Sequence, residues 1–464
     1  MIRMHTVATP TSPRNPSNPA PRGRPHPSRR TRCNRLSKDI LQGLIASWGE
    51  QPTPRGGPSR STELVLSSAF LPVRIVPEEA DQPAESTPIE IVLPSGPTVR
   101  VPRGFDSKTL DAVLAVLEKP PQPIDKGLPG PGLLANVITG KYGDHPPLYR
   151  QEDILSRHGV TLSRATLCEW MARAAEVLRP LHDVMAGLAR SSKVIWTDDT
   201  TVPVWDPTLP ATRIGRFLVY VGDDWNPFRV YDFTPRRTRD GPERFLGSYQ
   251  GYLQADAFSG YDRICTEPGV IKVACWAHVR RKFYECRTTA PVLAHEALAR
   301  IRQLYRIEAE CRALPAAKPR EIRQRDAVPL LAAFEAWLDE QCRQMLPKSP
   351  LGKAIAYARN QWQGLQTYTR DGELSIDNNL AERTLRAQAI GRMNYLFVGS
   401  DRGGRTAAVL YSFVGSCRRL GADSFAYLRD VLERLPTHPA ERLGELLPDA
   451  WFVAHPNARR KVAS

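Results

Sequence analysis

Three acidic residues, far apart in the chain, have the types and settings that divalent-metal chemistry on a phosphodiester requires. Asp198 closes the apolar run Val194-Ile195-Trp196, and Asp256 closes Gly251-Tyr-Leu-Gln-Ala255. Glu382 lies in the helical, arginine-flanked stretch Asp377-Asn-Asn-Leu-Ala-Glu-Arg-Thr-Leu-Arg386. Phosphoryl transfer needs an attacking oxygen made nucleophilic and a leaving oxygen stabilised. Two divalent ions ~3.5–4 Å apart do both, and hard carboxylate oxygens hold them, so acids from separate segments must converge. Each acid alone has a plainer reading. Asp198 suits a turn or cap, with Asp199 an equal candidate by chemistry. Asp256 suits the N-cap of a helix entering at Ala257-Phe258, and Glu382 an ion pair with Arg386 across one helical turn. The element order strand, strand, helix is what joins them. Asp206, Asp223, Asp224, Asp232 and Asp262 read as loop or surface acids.

The elements that must position these acids follow from apolar patterning. Val194 to Thr197, Arg216 to Val221, Phe228 to Phe233 and Gly251 to Ala255 read as short strands, with a helix at Pro242 to Tyr249. A fifth strand, Ile271 to Cys275, leads into the basic run His278-Val-Arg-Arg-Lys-Phe283. Residues 291–370 lose strand character and read as a helical insertion between the second and third acids. After it come the Glu382 helix, a strand at Tyr395 to Val398, and helices from about Thr406 to Arg419 and from Ser424 to about Arg434. This is an α/β order, and it predicts a ribonuclease-H-like mixed sheet with the ends of its first and fourth strands side by side.

The 464 residues exceed one ordinary core and predict two to four domains. A net charge of +15 and a pI near 9.6 favour a polyanionic partner. No apolar run approaches the ~20 residues that span a bilayer, and no apolar segment follows the basic N-terminus as a secretory signal would. The eight cysteines form no Cys-x-x-Cys pair and the nine histidines no His-x-x-x-His pair, which argues against a zinc ribbon or disulfide scaffold. Reduced thiols in the cytoplasm fit that pattern.

Residues 1–60 are rich in Pro, Arg, Ser and Thr and predict a disordered basic segment, interrupted by one short helix at 38–47. Residues 61–120 predict a β-hairpin, Ile89 to Leu93 and Thr98 to Val101, followed by a helix at 109–118, and 121–132 a linker. Residues 133–190 read as a helical, DNA-binding segment with a helix-turn-helix pattern. Its first helix ends at Gly159, Val160 and Leu162 plug the turn, and Ser163 caps a second helix. That helix would present Arg164, Thr166 and Arg173 to DNA, although an ordinary helical hairpin has the same signature. The core then occupies 191–290 and 371–410, and a helical tail module 411–464. Arg280, Arg281 and Lys282, beside the acids, would steer a DNA backbone. Arg383, Arg386, Arg392, Arg402 and Arg405 would contact phosphates, while Asn378 and Asn379 would cap the Glu382 helix. Trp276, Tyr149, Trp170 and Trp362 read as packing residues.

Five stretches carry a family resemblance. They are Trp196-Thr-Asp-Asp-Thr-Thr-Val-Pro-Val204, Leu253-Gln-Ala-Asp-Ala-Phe-Ser-Gly-Tyr261, Ala274-Cys-Trp-Ala-His-Val-Arg-Arg-Lys-Phe283, Ile376-Asp-Asn-Asn-Leu-Ala-Glu-Arg-Thr-Leu-Arg386 and Gly391-Arg-Met-Asn-Tyr-Leu-Phe-Val-Gly-Ser-Asp-Arg-Gly-Gly404. With them the chain resembles transposases of the insertion-sequence-sixty-six family, a branch of the DDE superfamily, from about residue 128 onward. The resemblance implies catalytic and metal-holding roles for Asp198, Asp256 and Glu382, with magnesium as the ion and manganese as a substitute. It implies double-stranded DNA partners (element ends and target), a homo-oligomer on DNA, accessory proteins of the same element, no membrane, and a nucleoid-associated place in a bacterial cytoplasm. The family's Asp-Glu-Thr is Asp198-Asp199-Thr200 here, which spares the first acid. The family's coiled coil and cysteine-rich zinc finger have no counterpart in the sequence. Instead Phe70 to Ile75 and Ile89 to Leu117 resemble a small accessory protein of such elements, so the chain reads as a fusion of that protein with a shortened transposase. Two other readings stay open: a non-catalytic DNA-binding remnant that represses its parent element, and a structure-selective nuclease.

Overall fold

The computed structural model describes residues 129–461 except 313 and 316, together with 73–74, 89–92, 98–101, 106 and 123. The basic segment 1–60, the helices expected at 38–47 and 109–118, and most of the expected linker lie outside the described residues. In the N-terminal pieces, β1 (Val73–Arg74), β2 (Ile89–Val92) and β3 (Thr98–Val101) form an antiparallel sheet in that order. The β2–β3 pair is the hairpin expected around the Pro-Ser-Gly-Pro turn, with Ile89 opposite Val101 and Val92 opposite Thr98.

Aromatic and β-branched runs build the central five-stranded sheet from β4 (Val194–Val204), β5 (Arg213–Val221), β6 (Arg229–Thr234), β7 (Gly251–Gln254) and β8 (Val270–Val273). The strand order is β6-β5-β4-β7-β8. β4, β5 and β6 pair antiparallel, whereas β7 joins β4, and β8 joins β7, in parallel. The sheet is therefore mixed, with the first and fourth of its strands adjacent.

Two of the expected strands change. β4 does not stop near Thr197. The β-branched residues Thr200, Thr201, Val202 and Val204 keep it extended, and β5 pairs with it from Trp196 to Val204. Asp198 therefore stands inside a strand, at the level where β7 has already left it. The second change concerns Tyr395 to Val398. The helix carrying Glu382 continues through Tyr395, the chain turns at Leu396 with φ +66°, and only Val398 makes a β-bridge, to Val204.

The helices in chain order are α1 (Pro131–Thr139), α2 (Leu148–Arg157), α3 (Arg164–Arg190), α4 (Asp240–Leu246), α5 (Asp262–Thr266), α6 (Trp276–Glu285), α7 (Pro291–Cys311), α8 (Ala317–Ile322), α9 (Val328–Gln344), α10 (Pro350–Asn360), α11 (Trp362–Gln366), α12 (Asn379–Tyr395), α13 (Asp401–Leu420), α14 (Ser424–Arg434) and α15 (Pro448–Ala454). α2 gives way to a left-handed Gly159 (φ +79°), and the Ser163 hydroxyl accepts the Thr166 N–H to start α3. Leu162 packs on the core, but Val160 is exposed and plugs nothing. Tyr149 is also exposed, unlike Trp170 and Trp362, which are buried as expected.

α13 lies on β6 and against α3. Its approach is so close that a Cβ on Gly404 would fall 2.6 Å from the Phe233 ring, so glycine is required there. The helix runs unbroken across residue 411. On the far edge of the sheet, α6, α9 and α11 enclose an aromatic cluster. Trp276 stacks near Phe334, Trp362 meets it edge-on, and the Trp276 indole N–H donates to the Leu365 carbonyl at 2.9 Å. Both layers belong to one continuous apolar core.

Candidate active site

The parallel register of β4 and β7 sets the geometry of the two aspartates. Trp196 lies opposite Gln254. Asp198 and Asp256 each stand two residues beyond this last pair, Asp198 still inside β4 and Asp256 just past the end of β7. Carboxylate oxygens of Asp198, Asp199 and Asp256 all fall within 4.8 Å of one another. One oxygen of Asp256 accepts the Phe258 N–H at 3.0 Å, which orients the carboxylate and leaves its other oxygen for the cluster. The turn-capping role and membership of the cluster therefore coexist in Asp256.

Asp198 Oδ1 accepts the Asp199 N–H at 2.9 Å, and no cation pairs with Asp198 among the described residues. Burial, with added repulsion from Asp256, Glu382 and Asp199, pushes its carboxyl up to about 7, against the opposing pull of the Asp199 N–H. Asp199, equal to Asp198 by chemistry alone, is distinguished by its partners. Its side chain is nearly inaccessible, and its two oxygens take the guanidinium groups of Arg216 and Arg237. Asp199 is thus neutralised within the fold while Asp198 is not.

Glu382 sits in the first turn of α12. The start of that helix is pinned from three sides. The buried Asn378 precedes it, and its side-chain amide donates to the Thr197 carbonyl at 2.8 Å instead of capping the helix. The Asn378 N–H donates to Cys275 Sγ at 3.2 Å, and the Gln254 side chain donates to the Ser375 carbonyl at 2.7 Å. Asn379 likewise does not cap. It bonds back to Asp377, whose carboxylate also receives the Tyr305 hydroxyl. These bonds bind the helix start to β4, β7 and the entry of α6.

The carboxylate of Glu382 approaches His278 Nδ1 at 3.8 Å, and Glu382, Cys275 and His278 offer ligand atoms within 4.8 Å of one another. Asp198 and Asp256 thus share one cluster. Glu382 stands beside it, close enough for its charge to act on Asp198, but grouped with Cys275 and His278. The pairing of Glu382 with Arg386 that helical spacing allows does not occur among the described residues. Sequence reasoning overlooked Cys275 and His278 as neighbours of Glu382. The available signal was Cys275-Trp-Ala-His278 at a strand-to-helix junction, which puts a thiol and an imidazole one helical turn apart.

The donor set suits a hard divalent cation. The cluster of Asp198, Asp199 and Asp256 supplies oxygens alone, and the Asp198 carboxyl is raised first by burial and then by the neighbouring charges of Asp256, Glu382 and Asp199, repulsion that a cation would cancel.

The basic residues divide into free and committed groups. Arg280 and Arg281 are exposed on α6, whereas Lys282 is half-buried with its ammonium over the Tyr357 ring. Arg164 is exposed at the start of α3. The Thr166 hydroxyl is 2.9 Å from that of Ser163, within the cap. Arg173 pairs with Glu169 and Glu176, and Arg402 reaches the same two acids from α13. The Arg392 guanidinium bonds the Thr201 carbonyl and hydroxyl, so it clamps α12 to β4. Arg383, Arg386 and Arg405 are exposed. Of the acids expected at the surface, Asp223 is buried and accepts the main-chain N–H groups of Lys193, Trp225 and Asn226, while Asp232 pairs with Arg244. No helix among the described residues is long and apolar enough to cross a membrane.

Comparison with known proteins gives two family matches. The family described as Transposase IS66 family matches residues 126–406, and the IS66 C-terminal element matches residues 412–448. Among curated proteins, the chain is similar to three uncharacterized proteins of Sinorhizobium fredii. It is 34% identical to y4hP over 350 residues, 70% of this chain and 63% of the relative. It is 34% identical to y4jD over 343 residues (71% and 67%) and 32% identical to y4qI over 354 residues (73% and 65%). The chain thus spans about two thirds of the length of these relatives.

Proposed function

The chain belongs to the IS66 family of transposases, and from that premise we propose that it cuts DNA at the ends of an insertion element and joins the freed ends to target DNA, using Asp198, Asp256 and Glu382. The observation that carries this reading is the side-by-side placement of Asp198 and Asp256 across the β4–β7 register, with Glu382 alongside on α12. The strand order, with a helix lying over the first strand, supports a ribonuclease-H-like core.

Asp198, Asp256 and Glu382 are the residues that would hold magnesium, or manganese in its place. Bound there, such ions polarise the scissile phosphate and lower the pKa of water. The chain's own groups supply rigidity and placement. Asp198 and Asp256 stand beside each other, Asn378 ties the start of the Glu382 helix to β4, and His278 Nδ1 lies 3.8 Å from the Glu382 carboxylate. In the first step a water oxygen bonds to phosphorus and the strand's 3′-oxygen leaves, taking up a proton. In the second, that 3′-hydroxyl loses its proton, attacks a target phosphodiester and displaces the target's 3′-oxygen. No enzyme-linked intermediate is required. Arg280 and Arg281, exposed on the helix that carries His278, would hold the backbone of double-stranded DNA near the acids. A homo-oligomer on DNA, accessory proteins of the same element and a bacterial, nucleoid-associated setting complete the reading.

The test is cleavage and joining of duplexes carrying the parent element's terminal repeats, with and without magnesium. Magnesium-dependent nicking followed by joined products is the expected result. Binding without cleavage would identify a non-catalytic remnant, and cleavage without joining a nuclease.

A further inference from the structure

Further along α12 from Glu382 lies a cavity of about 150 Å³ bounded by α12, β6 and α13, with Tyr142 and His145 beside them. Arg383, Thr384, Arg386, Ala387 and Ile390 of that helix line it, within about two turns beyond Glu382. Four arginines converge there: Arg229 of β6, Arg418 of α13, and Arg383 and Arg386 of α12. No carboxylate lines the cavity; Asp144, whose charge reaches Arg418, stands outside its lining.

The hydrogen bonding of this cluster is incomplete. Arg229 Nη1 donates to the Gly415 carbonyl at a long 3.4 Å, and Arg418 Nη2 donates to the Gly143 carbonyl at 2.6 Å. Arg229 Nε and His145 Nδ1 are buried with no partner. Arg383 and Arg386, exposed at the rim, have neither an ion pair nor a hydrogen bond among the described residues. Burial, with repulsion from Arg419, Arg418 and Arg383, brings Arg229 down to about 10. A cluster of like charges with unused donors around a cavity is costly unless an anion completes it. Guanidinium forks match the oxygens of a phosphoryl group, which can accept several at once.

We infer that this cavity binds a phosphoryl group, held by Arg229 and Arg418 inside and by Arg383 and Arg386 at the mouth. The site is separate from the acid cluster and does not depend on the catalytic reading. Its phosphoryl group comes either from the backbone of a DNA strand laid along α12 or from a free phosphate, and the chemistry of the site is the same in both cases.

The experiment titrates inorganic phosphate into the full chain at constant ionic strength, balanced with chloride, and follows thermal unfolding and the phosphorus NMR line. It is run on the Asp256→Ala variant, so that failure of the catalytic reading leaves the measurement intact. Phosphate should raise Tm where chloride does not. Arg229→Met should weaken the phosphate response about tenfold or more. The double variant Arg383→Gln/Arg386→Gln should do the same while altering only exposed, unpartnered side chains. No phosphate-specific response, or a response unchanged in both variants, overturns the site. If phosphate also competes with a short duplex, and the double variant lowers the salt slope of duplex binding by about 1–2, the backbone is the source. Phosphate binding without competition assigns the same site to free phosphate.

Discussion

The Asn378 side-chain amide donates to the Thr197 carbonyl at 2.8 Å, and both residues are fully buried. This bond joins two segments separated by 181 residues. It sets the helix bearing Glu382 against the strand bearing Asp198, one residue beyond Thr197.

Asn378→Ala should therefore lower stability by about 1–3 kcal/mol, because it leaves a buried carbonyl unpaired. Denaturant titration measures the loss. Asn378→Asp should be worse, since it places an acceptor against an acceptor. If the bond also sets the position of Glu382, divalent-dependent cleavage should fall by more than the folded fraction does. Cleavage that tracks the folded fraction alone would limit Asn378 to a structural role.

Asp256→Ala and Glu382→Ala should each reduce magnesium-dependent strand cleavage by on the order of 10³-fold or more, with the circular dichroism spectrum unchanged. A variant that still cuts at wild-type rate would remove that residue from the catalytic set. Asp199→Asn should instead cost stability, because Arg216 and Arg237 would lose their shared carboxylate.

The raised carboxyl of Asp198 makes the metal-free protein's stability pH-dependent. Below about pH 4 both folded and unfolded chains hold the proton, and the site costs nothing. Between about 4 and 7 the unfolded chain releases its proton while the folded chain retains it, so this contribution to stability falls as pH rises. Asp198→Asn should raise the metal-free Tm at pH 7.5 by a few degrees, roughly 1 kcal/mol or more. Magnesium should raise the Tm of the parent chain at that pH and have a weaker effect on the variant. An unchanged Tm in Asp198→Asn would contradict the buried, mutually repelling arrangement.

Arg323 is the buried hub of the helical insertion. It meets Glu308 through two bonds of 2.7 Å and donates to the carbonyls of Tyr368, Asp371 and Leu374. These carbonyls belong to the segment that leads into α12. Arg323→Ala should cost about 3–5 kcal/mol by leaving Glu308 and three carbonyls without their partner. Arg323→Lys should recover little, because an ammonium cannot reproduce the planar fork. Thermal unfolding of both variants checks this, and near-parental stability in either would show that the hub is dispensable.

Much of the fold was readable from local patterns. The apolar and β-branched runs around 194–197 and 216–221, and the small capping residue Ser163 with Gly159 before it, are short-range signals, and the structure has strands and a turn there, the first strand running on to Val204. Tyr395 to Val398 misled because two aromatic and two branched residues look extended, whereas helix propagation from Asn379 carried through Tyr395. Arg392 and Arg402 looked like free phosphate ligands because the carbonyl and acids that take them up arrive from β4 and α3, whereas the partners of Arg173, Glu169 and Glu176, lie on its own helix at a spacing the sequence shows.

Residue identity was enough for the α/β order and the family, because strand and helix periodicities and a few contiguous motifs carry that information locally. Packing decided the rest. The β4–β7 pairing brings Asp198 beside Asp256, Arg216 and Arg237 pair with Asp199, and Glu382 comes within 3.8 Å of His278. The four-arginine cavity exists only because β6, α12 and α13 close around one point. Such choices turn on which side chains, tens to hundreds of residues apart, meet in the folded core, and no local preference encodes that meeting.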